Sequence, residues 1–234
     1  LTEVAESERV RALYPALAEA ARRTASPLLR NMGTLGGNIC QQNRCWYYRY
    51  PDKLGGRIPC VRKGGSKCLA VPGDSRYHSI FGAVNKCIAV NPSDTAPALV
   101  ALDATVVTSR RRIPAEDFFS AEHGKQSTVL ERDEIVLALE LPAHMAATDG
   151  ATSAFRKVAF RQSIDFALVN AAAWLRFENG VVAGARVCLN AVYNNPVRAV
   201  AAEEALVGRA LDEESAGAAA AAALAGAKPL LSNY

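Results

Sequence analysis

The chain combines stretches that have a clear hydrophobic period with one long stretch that has none. From residue 6 to residue 23 apolar side chains recur at the three- and four-residue spacing of an amphipathic helix. Pro15 lies inside this pattern and either starts a new helix or kinks the first. A short helix is expected over Pro27–Met32. From residue 40 to residue 86 no period is recognisable, and a loop this long inside a compact domain needs a specific reason.

Strand-like apolar runs recur along the chain after residue 86. Regular secondary structure is expected to resume after residue 86 with short strands, and residues 91–94 are expected to form a turn that leads into a short helix. After a linker of small and polar residues from 143 to 150, three longer strands are expected, and Asn179-Gly180 joins the last two as a two-residue hairpin. The predicted strands cover residues 87–90, 104–108, 135–141, 152–160, 167–177 and 181–192, and the predicted helices cover 95–102, 197–207 and 213–225.

Helices and antiparallel strands that occupy separate runs indicate an α+β fold. We expect a first domain over residues 1–142 that contains residues 40–90 as an insert, here named the cysteine segment. A second α+β domain over residues 150–234 is expected to be an antiparallel sheet with helices at its end, truncated at the C-terminus.

Composition places the chain among ordinary globular proteins. It has 234 residues, of which 50% are apolar and 21% charged. No apolar run approaches the roughly 18 residues of a membrane helix, so the protein is not expected to be embedded in a membrane. No export signal opens the chain, which favours the cytoplasm, or the periplasm if a partner chain carries the signal. The missing initiator methionine predicts a fragment of a longer protein.

Positive charge is concentrated in the cysteine segment. Nine Lys and Arg face two acids there, a net of +7, whereas the rest of the chain carries 18 bases and 21 acids. A basic patch can bind nucleic acid, but an iron-sulfur cluster on four thiolates is anionic and is also tuned by nearby cations. The aromatic residues crowd next to Cys45 instead of spreading along a basic surface as stacking platforms would. We therefore expect the charge to compensate an anionic group, with a solvated basic face as the alternative and no nucleic-acid partner.

Four cysteines of this segment are candidate metal ligands: Cys45, Cys60, Cys68 and Cys87. Structural zinc usually takes cysteines in pairs two to four residues apart, and none of these four is paired in that way. Thiolates also suit iron-sulfur clusters, which tolerate separated ligands. Spacing alone leaves a [4Fe–4S] cluster, a zinc ion and no metal open, and an exported domain with disulfides is a further alternative.

A second candidate site begins with the run Asn31-Met32-Gly33-Thr34-Leu35-Gly36-Gly37-Asn38. Glycines let the backbone approach a phosphate closely, although ordinary tight turns use the same residues. Asp94 either caps a helix or accepts a hydrogen bond from a ribityl or ribose hydroxyl. Lys157 and Arg161 are surface charges or cofactor contacts. The three histidines, at positions 78, 123 and 144, are expected at the surface, and Cys188 is expected to be a buried core thiol.

Together these residues resemble the FAD-binding subunit of the molybdenum hydroxylases, the family of xanthine dehydrogenase, aldehyde oxidoreductases and 4-hydroxybenzoyl-CoA reductase. The likeness covers nearly the whole chain and is closest to the subset that carries an additional [4Fe–4S] cluster. The motifs that carry it are Ala25-Ser26-Pro27, Arg30 to Asn38, Asn91-Pro92-Ser93-Asp94, Phe155-Arg156-Lys157-Val158, Phe166-Ala167-Leu168-Val169 and the four cysteines.

The resemblance implies an oxidoreductase subunit that relays electrons through FAD and a [4Fe–4S] cluster. Its partners would be a large subunit with molybdopterin and a small subunit with [2Fe–2S] clusters. It implies a PCMH-type FAD-binding subdomain followed by a domain like the C-terminal part of CO dehydrogenase flavoproteins. By the family pattern FAD would contact Thr34, Gly36, Gly37, Asn38, Asp94 and Lys157, and the four cysteines would hold the cluster.

One departure limits these expectations. The family begins with a further small subdomain that carries a first phosphate loop, and the present sequence has no counterpart to it. The chain therefore holds about half of the flavin site and is not expected to be active alone. The alternatives are the corresponding subunit of a 4-hydroxybenzoyl-CoA reductase-like enzyme and a zinc-stabilised interaction module without catalytic function.

Overall fold

The computed structural model describes residues 1–51, 53, 58–121 and 126–233. Helices dominate the first hundred residues and the C-terminus, and two antiparallel sheets lie between them. The predicted α+β class is confirmed. The helices are α1 (Thr2–Glu6), α2 (Glu8–Leu13), α3 (Pro15–Arg22), α4 (Pro27–Met32), α5 (Leu35–Ile39), α6 (Trp46–Arg49), α7 (Ala96–Ala101), α8 (Ala115–Phe118), α9 (Val200–Leu206) and α10 (Glu213–Leu224), with 3-10 turns at Val61–Lys63 and Ala143–Met145.

The strands form one sheet of three and one of four. The small sheet has the order β2-β1-β3 and the large sheet the order β4-β5-β6-β7, both antiparallel throughout. The strands are β1 (Thr105–Thr108), β2 (Arg112–Pro114), β3 (Val136–Glu140), β4 (Ala151–Val158), β5 (Val169–Glu178), β6 (Val181–Asn190) and β7 (Val197–Arg198).

Helix boundaries near the N-terminus follow from capping residues. Ser7 accepts a hydrogen bond from the Val10 N–H and separates α1 from α2. Pro15 is the first residue of α3, where its missing N–H costs nothing, so it starts a helix and does not kink one. Ser26 caps α4 in the same way, with Pro27 as its first residue.

The hairpin between β5 and β6 forms as predicted. Asn179 and Gly180 have φ angles of 51° and 80°, both in the left-handed region that a type I′ turn requires. The two strands pair over nearly their full lengths, from Asn170 opposite Asn190 to Glu178 opposite Val181. This hairpin is the centre of the large sheet, against which α7 packs from the first half of the chain.

Two predicted elements differ from the structure. Residues 87–90 form no strand; Cys87 and Val90 each make a single bridge, to Val84 and Arg44. The predicted helix over 197–207 begins as β7, which pairs with β6, and becomes helical only from Val200. In both places the backbone conformation depends on the segment across the sheet or loop with which it pairs. The hydrophobic pattern within the segment itself does not reveal that partner.

One apolar core joins both halves of the chain. Leu17 of α3, Leu99 of α7, Phe118 of α8 and Trp174 of β5 belong to the same buried cluster. Met145 is also buried in it, so residues predicted as a linker contribute to the core. The boundary between the predicted domains 1–142 and 150–234 stays a prediction.

Among the described residues no helix combines the length and apolarity needed to cross a membrane.

The shared core leads to a first prediction. Phe118→Ala removes a fully buried ring and should lower the free energy of unfolding by about 3–5 kcal/mol, because it leaves a cavity. Urea unfolding followed by circular dichroism measures this. Leu211→Ala, at an exposed position, is the control and should change stability by less than about 0.5 kcal/mol. Equal effects of the two substitutions would contradict a core centred on α8.

Candidate cofactor site

A cleft of about 460 Å³ opens where the glycine-rich run meets the turn before α7. Its size falls within the range of small-molecule sites, about 300–1,000 Å³. Four parts of the chain line it: Leu1, residues 24–41, residues 92–94, and residues 164–166 of the loop between β4 and β5. The glycine cleft, as it is named here, is bounded by Gly33, Thr34, Gly37, Asn38, Pro92, Asp94, Ile164 and Phe166.

The glycine-rich run forms the short helix α5 and not an open turn. The Thr34 hydroxyl caps it by accepting a hydrogen bond from the Gly37 N–H at 2.9 Å. Gly37 faces the cleft, whereas a Cβ on Gly36 would point at the side chain of Val136 on β3. Of the two glycines, Gly37 therefore belongs to the wall of the cleft, and Gly36 lies on the side of α5 that packs against the small sheet.

Asn38 fastens the two walls of the glycine cleft together. Its side-chain oxygen accepts hydrogen bonds from the hydroxyls of Ser93 at 2.6 Å and Thr95 at 2.7 Å. The Asn190 side chain adds a bond to the Ser93 carbonyl at 2.7 Å. All four residues are buried, so these bonds are protected from water and hold α5 against the start of α7.

Asp94 sits at the floor of the glycine cleft in a buried ion pair. Its carboxylate lies 2.6 Å from Lys157 Nζ, and the two side chains are only 5% and 4% exposed. Asn170 donates a hydrogen bond to the other carboxylate oxygen at 2.8 Å, and Lys157 also donates to the Arg23 carbonyl. Burial raises the pKa of Asp94, and Lys157 and Asn170 act in the opposite direction.

These contacts correct two of the alternatives left open by the sequence. Asp94 does not cap α7; the Ser93 hydroxyl accepts the Ala96 N–H at 3.1 Å instead. Lys157 is not a surface charge, since it reaches inward from β4 to Asp94. Arg161 does lie at the surface, where it pairs with Asp165.

The thiols of the cysteine segment lie in a second, smaller cluster. Cys45 and Cys87 pack together with Ala89. Burial raises the pKa of Cys45 to about 11, and the charges of Cys87 and Cys68 act in the same direction. Cys60 lies in a chain reversal paired with Lys67. The structure records all six cysteines as free thiols, without a disulfide.

Main-chain N–H groups point at these sulfurs. The Ala89 N–H lies 3.5 Å from Cys87 Sγ, and backbone groups of Tyr47 and Tyr48 donate to Cys45. Hydrogen bonds of this kind stabilise a thiolate and tune an iron-sulfur centre. The donor chemistry therefore fits a cluster bound through thiolates.

The described side chains nevertheless do not form a complete set of metal ligands. Within the described ranges no group of three or more His, Cys, Asp or Glu side chains is placed to hold a metal ion. This finding counts against a zinc site, whose ligands must all lie about 2.0–2.3 Å from one ion. It also leaves the predicted cluster without a preformed set of ligands.

His78 was missed by the sequence reasoning. It is buried, not exposed as predicted, and its Nε2 lies 3.2 Å from Cys45 Sγ. Burial lowers its pKa, which favours the neutral ring. His144 is exposed as expected, and His123 lies outside the described residues. The contact of His78 with Cys45 joins positions 33 residues apart, so no local spacing could have revealed it.

Comparison with known proteins identifies both halves of the chain. Residues 1–144 match the family model described as the FAD binding domain in molybdopterin dehydrogenase. Residues 153–234 match the model described as the CO dehydrogenase flavoprotein C-terminal domain.

Several curated proteins and solved structures are similar over most of the chain. The aldehyde oxidoreductase FAD-binding subunit PaoB of Escherichia coli K12 is 36% identical over 88% of the chain, and the carbon monoxide dehydrogenase medium chain of Hydrogenophaga pseudoflava is 26% identical over 97%. These matches span 63% and 62% of the relatives' own lengths. A carbon monoxide dehydrogenase structure from Hydrogenophaga pseudoflava superposes with a TM-score of 0.68 at 27% identity, covering 99% of this chain and 64% of that one.

The buried pair at the floor of the glycine cleft leads to a second prediction. Lys157→Met leaves the Asp94 carboxylate buried without its partner and should cost about 3–5 kcal/mol of folding stability near neutral pH. The loss should be smaller in acid. Without Lys157 the folded-state pKa of Asp94 rises further above its ordinary value, so the protonated form is favoured and the deficit grows as pH rises through that pKa.

Urea unfolding at about pH 5 and about pH 8 measures this difference. The double variant Lys157→Met with Asp94→Asn removes the charge as well and should recover most of the lost stability. A pH-independent deficit in the single variant, or no recovery in the double one, would contradict the assigned ion pair.

Proposed function

Because this chain belongs to the family of FAD-binding domains of molybdopterin dehydrogenases, we propose that it relays electrons between iron-sulfur clusters of a partner subunit and an external acceptor. The observation that carries the proposal is the glycine cleft, a ligand-sized space with a buried Asp94–Lys157 pair at its floor. FAD, when bound there, supplies the redox chemistry, and the protein supplies binding, orientation and electrostatics.

The residues of the glycine cleft fit a flavin cofactor in several ways. Gly37 lines the cleft without a side chain, and a Cβ there would lie 3.0 Å from the hydroxyl oxygen of Thr34, the cap of α5. Asn38, Ser93 and Thr95 fix the width of the cleft through buried hydrogen bonds, so that little has to be reordered when a ligand binds. Asp94 presents a carboxylate, whose ordinary partners are hydroxyl donors such as those of a ribityl chain.

The role of Lys157 in this proposal is indirect. It neutralises Asp94 and ties it to the carbonyl of Arg23, and it is not one of the residues that line the glycine cleft. Lys157 is therefore a positioning residue, and the contacts with FAD are assigned to Thr34, Gly37, Asn38 and Asp94. Gly36 lies on the side of α5 that packs against the small sheet.

The whole complex is proposed by analogy with the most similar relatives. The 36% identity with an aldehyde oxidoreductase subunit favours aldehydes as the substrate class over carbon monoxide. The substrate would be oxidised in a large subunit with molybdopterin, and a small subunit with [2Fe–2S] clusters would pass on the electrons. The chain alone is then not expected to turn over substrate.

We also propose that Cys45, Cys60, Cys68 and Cys87 hold a [4Fe–4S] cluster. Three observations support it: the thiols are free, Cys45 and Cys87 pack in one buried cluster, and backbone N–H groups point at these two sulfurs. The net charge of +7 on the segment suits an anionic cluster. Loading would draw Cys60 and Cys68 inward, and metal binding would then add to the stability of the fold.

A third prediction concerns the flavin. Gly37→Leu adds a branched side chain at the wall of the glycine cleft, with its Cβ 3.0 Å from the Thr34 hydroxyl oxygen. It should lower FAD affinity at least about tenfold, since the side chain and the cofactor would compete for the same space. FAD content after purification and fluorescence titration measure this. The control is Gly217→Leu, at an exposed position of α10 with open space around it, which should retain FAD. Unchanged affinity in Gly37→Leu would place FAD elsewhere.

A fourth prediction concerns the cluster. Protein purified without oxygen should contain about four iron and four acid-labile sulfide per chain. Cys60→Ser should lose both and become more sensitive to proteolysis within residues 40–90, because the cluster cross-links that segment. Cys40→Ser, at an exposed thiol outside the proposed set, should keep its iron. Iron-free wild-type protein, or unchanged iron in Cys60→Ser, would refute the cluster.

A further inference from the structure

A second cleft, of about 530 Å³, lies beside the glycine cleft and is walled by aromatic rings. Three rings stand in a row: the Trp46 ring lies 5.2 Å from that of Tyr77, and Tyr77 lies 6.1 Å from Phe160 in an edge-to-face arrangement. The aromatic cleft, as it is named here, is bounded by Arg44, Trp46, Tyr77, Phe160, Arg161 and Phe166.

The rings of the aromatic cleft are open to solvent. Trp46 is 52% exposed and Phe160 is 73% exposed, although large aromatic side chains usually bury most of their surface. Both lie outside the buried core, so folding of the chain does not account for their placement. Exposed aromatic side chains that converge on one concave surface mark a binding site.

Two guanidinium groups line the aromatic cleft. Arg44 is held between two rings, with its Cζ 4.5 Å from the centre of Phe166 and 5.6 Å from that of Tyr77. A guanidinium stacked on rings directs its N–H donors sideways, where they can bind an anion or a carbonyl oxygen. Arg161 adds a second guanidinium, which pairs with Asp165, the single carboxylate of the lining, so the charge that remains is that of Arg44.

The position of Arg44 is fixed by its backbone. Its N–H and carbonyl both pair with Val90, at 2.7 Å and 3.1 Å, which anchors the start of the cysteine segment to its end. The guanidinium is half-buried, and burial lowers the pKa of Arg44. The Arg44 guanidinium of the aromatic cleft is therefore held in place before any ligand binds.

The aromatic cleft and the glycine cleft share one wall. Ile164, Asp165 and Phe166, from the loop between β4 and β5, line both. Ile164 has a φ of 73°, a strained conformation for a β-branched residue, and its N–H is held by the Ala25 carbonyl at 3.1 Å. A molecule in the aromatic cleft would lie one side-chain layer from the glycine cleft.

We propose that the aromatic cleft binds a planar aromatic molecule carrying an anionic or carbonyl group, the chemical class that includes quinone electron acceptors. Rings on several sides select a flat π-system. Arg161 is paired with Asp165, so the Arg44 guanidinium is the group that selects negative charge. The binding itself follows from the cleft alone. The role of the ligand as electron acceptor rests on the proposed function, because it requires FAD in the glycine cleft.

Tryptophan fluorescence tests the proposal directly. The chain has two tryptophans, Trp46 in the aromatic cleft and Trp174 in the core. Anthraquinone-2-sulfonate, which is planar, anionic and unreactive towards thiols, is the probe, and cyclohexanesulfonate is its non-planar control. The probe should quench the Trp46 emission saturably, and the Trp46→Phe variant should show no saturable quenching. Cyclohexanesulfonate should have no effect.

Affinity of the variants locates the binding. Phe160→Ala removes an exposed ring that makes little contact with the core and should weaken probe binding between about twofold and tenfold, as measured by calorimetry. Leu224→Ala, an exposed apolar residue on α10, should leave the affinity unchanged. No saturable quenching of Trp46, or equal affinity in Phe160→Ala and the wild type, would overturn the proposal and leave the exposed rings as a contact surface for a protein.

The titration is performed with and without saturating FAD, whose own fluorescence reports whether it binds. Probe binding that persists with FAD present belongs to the aromatic cleft, as proposed. Probe binding that FAD abolishes belongs to the glycine cleft and overturns the inference while supporting the flavin site. Failure of FAD to bind, together with saturable quenching of Trp46, refutes the flavin proposal and leaves the aromatic site standing.

Discussion

The ion pair between Asp94 and Lys157 is the contact on which the arrangement of the two halves depends. It joins the turn before α7 to the first strand of the large sheet, 63 residues apart, with both side chains almost fully buried. A buried charge is costly unless it is paired. The ion pair therefore restricts the position of β4 relative to the turn before α7 more strictly than apolar packing alone would. Asn170 and the Arg23 carbonyl each add a hydrogen bond to the pair, and Asp94 also lines the glycine cleft.

The cysteine segment is held by different means. Its described part has little regular structure beyond α6 and a 3-10 turn, and its own apolar cluster is small. Isolated bridges and a few long-range contacts tie it down, such as Arg44 with Val90 and the Asn233 side chain with the His78 carbonyl. A segment with so small a core gains most from a cross-link, which is the physical reason for expecting a metal cluster there.

The loop between β4 and β5 connects these two regions. One side of it closes the glycine cleft, and the other closes the aromatic cleft that begins next to Cys45. The glycine cleft, the cysteine segment and the aromatic cleft therefore lie within one or two side-chain layers of each other. Such a compact arrangement suits electron transfer, in which proximity between groups matters more than motion of the protein.

The sequence by itself determined the elements whose signals are local. Helix α4 begins at Pro27, the β5–β6 hairpin follows from Asn179-Gly180, and the ordered motifs point to a flavin-binding family. The tertiary structure alone decided the partners: Lys157 with Asp94, Asn38 with Ser93, and His78 with Cys45. Capping and turn preferences act between neighbouring residues, whereas buried charges and hydrogen bonds find partners many residues away, and only the folded chain brings these together.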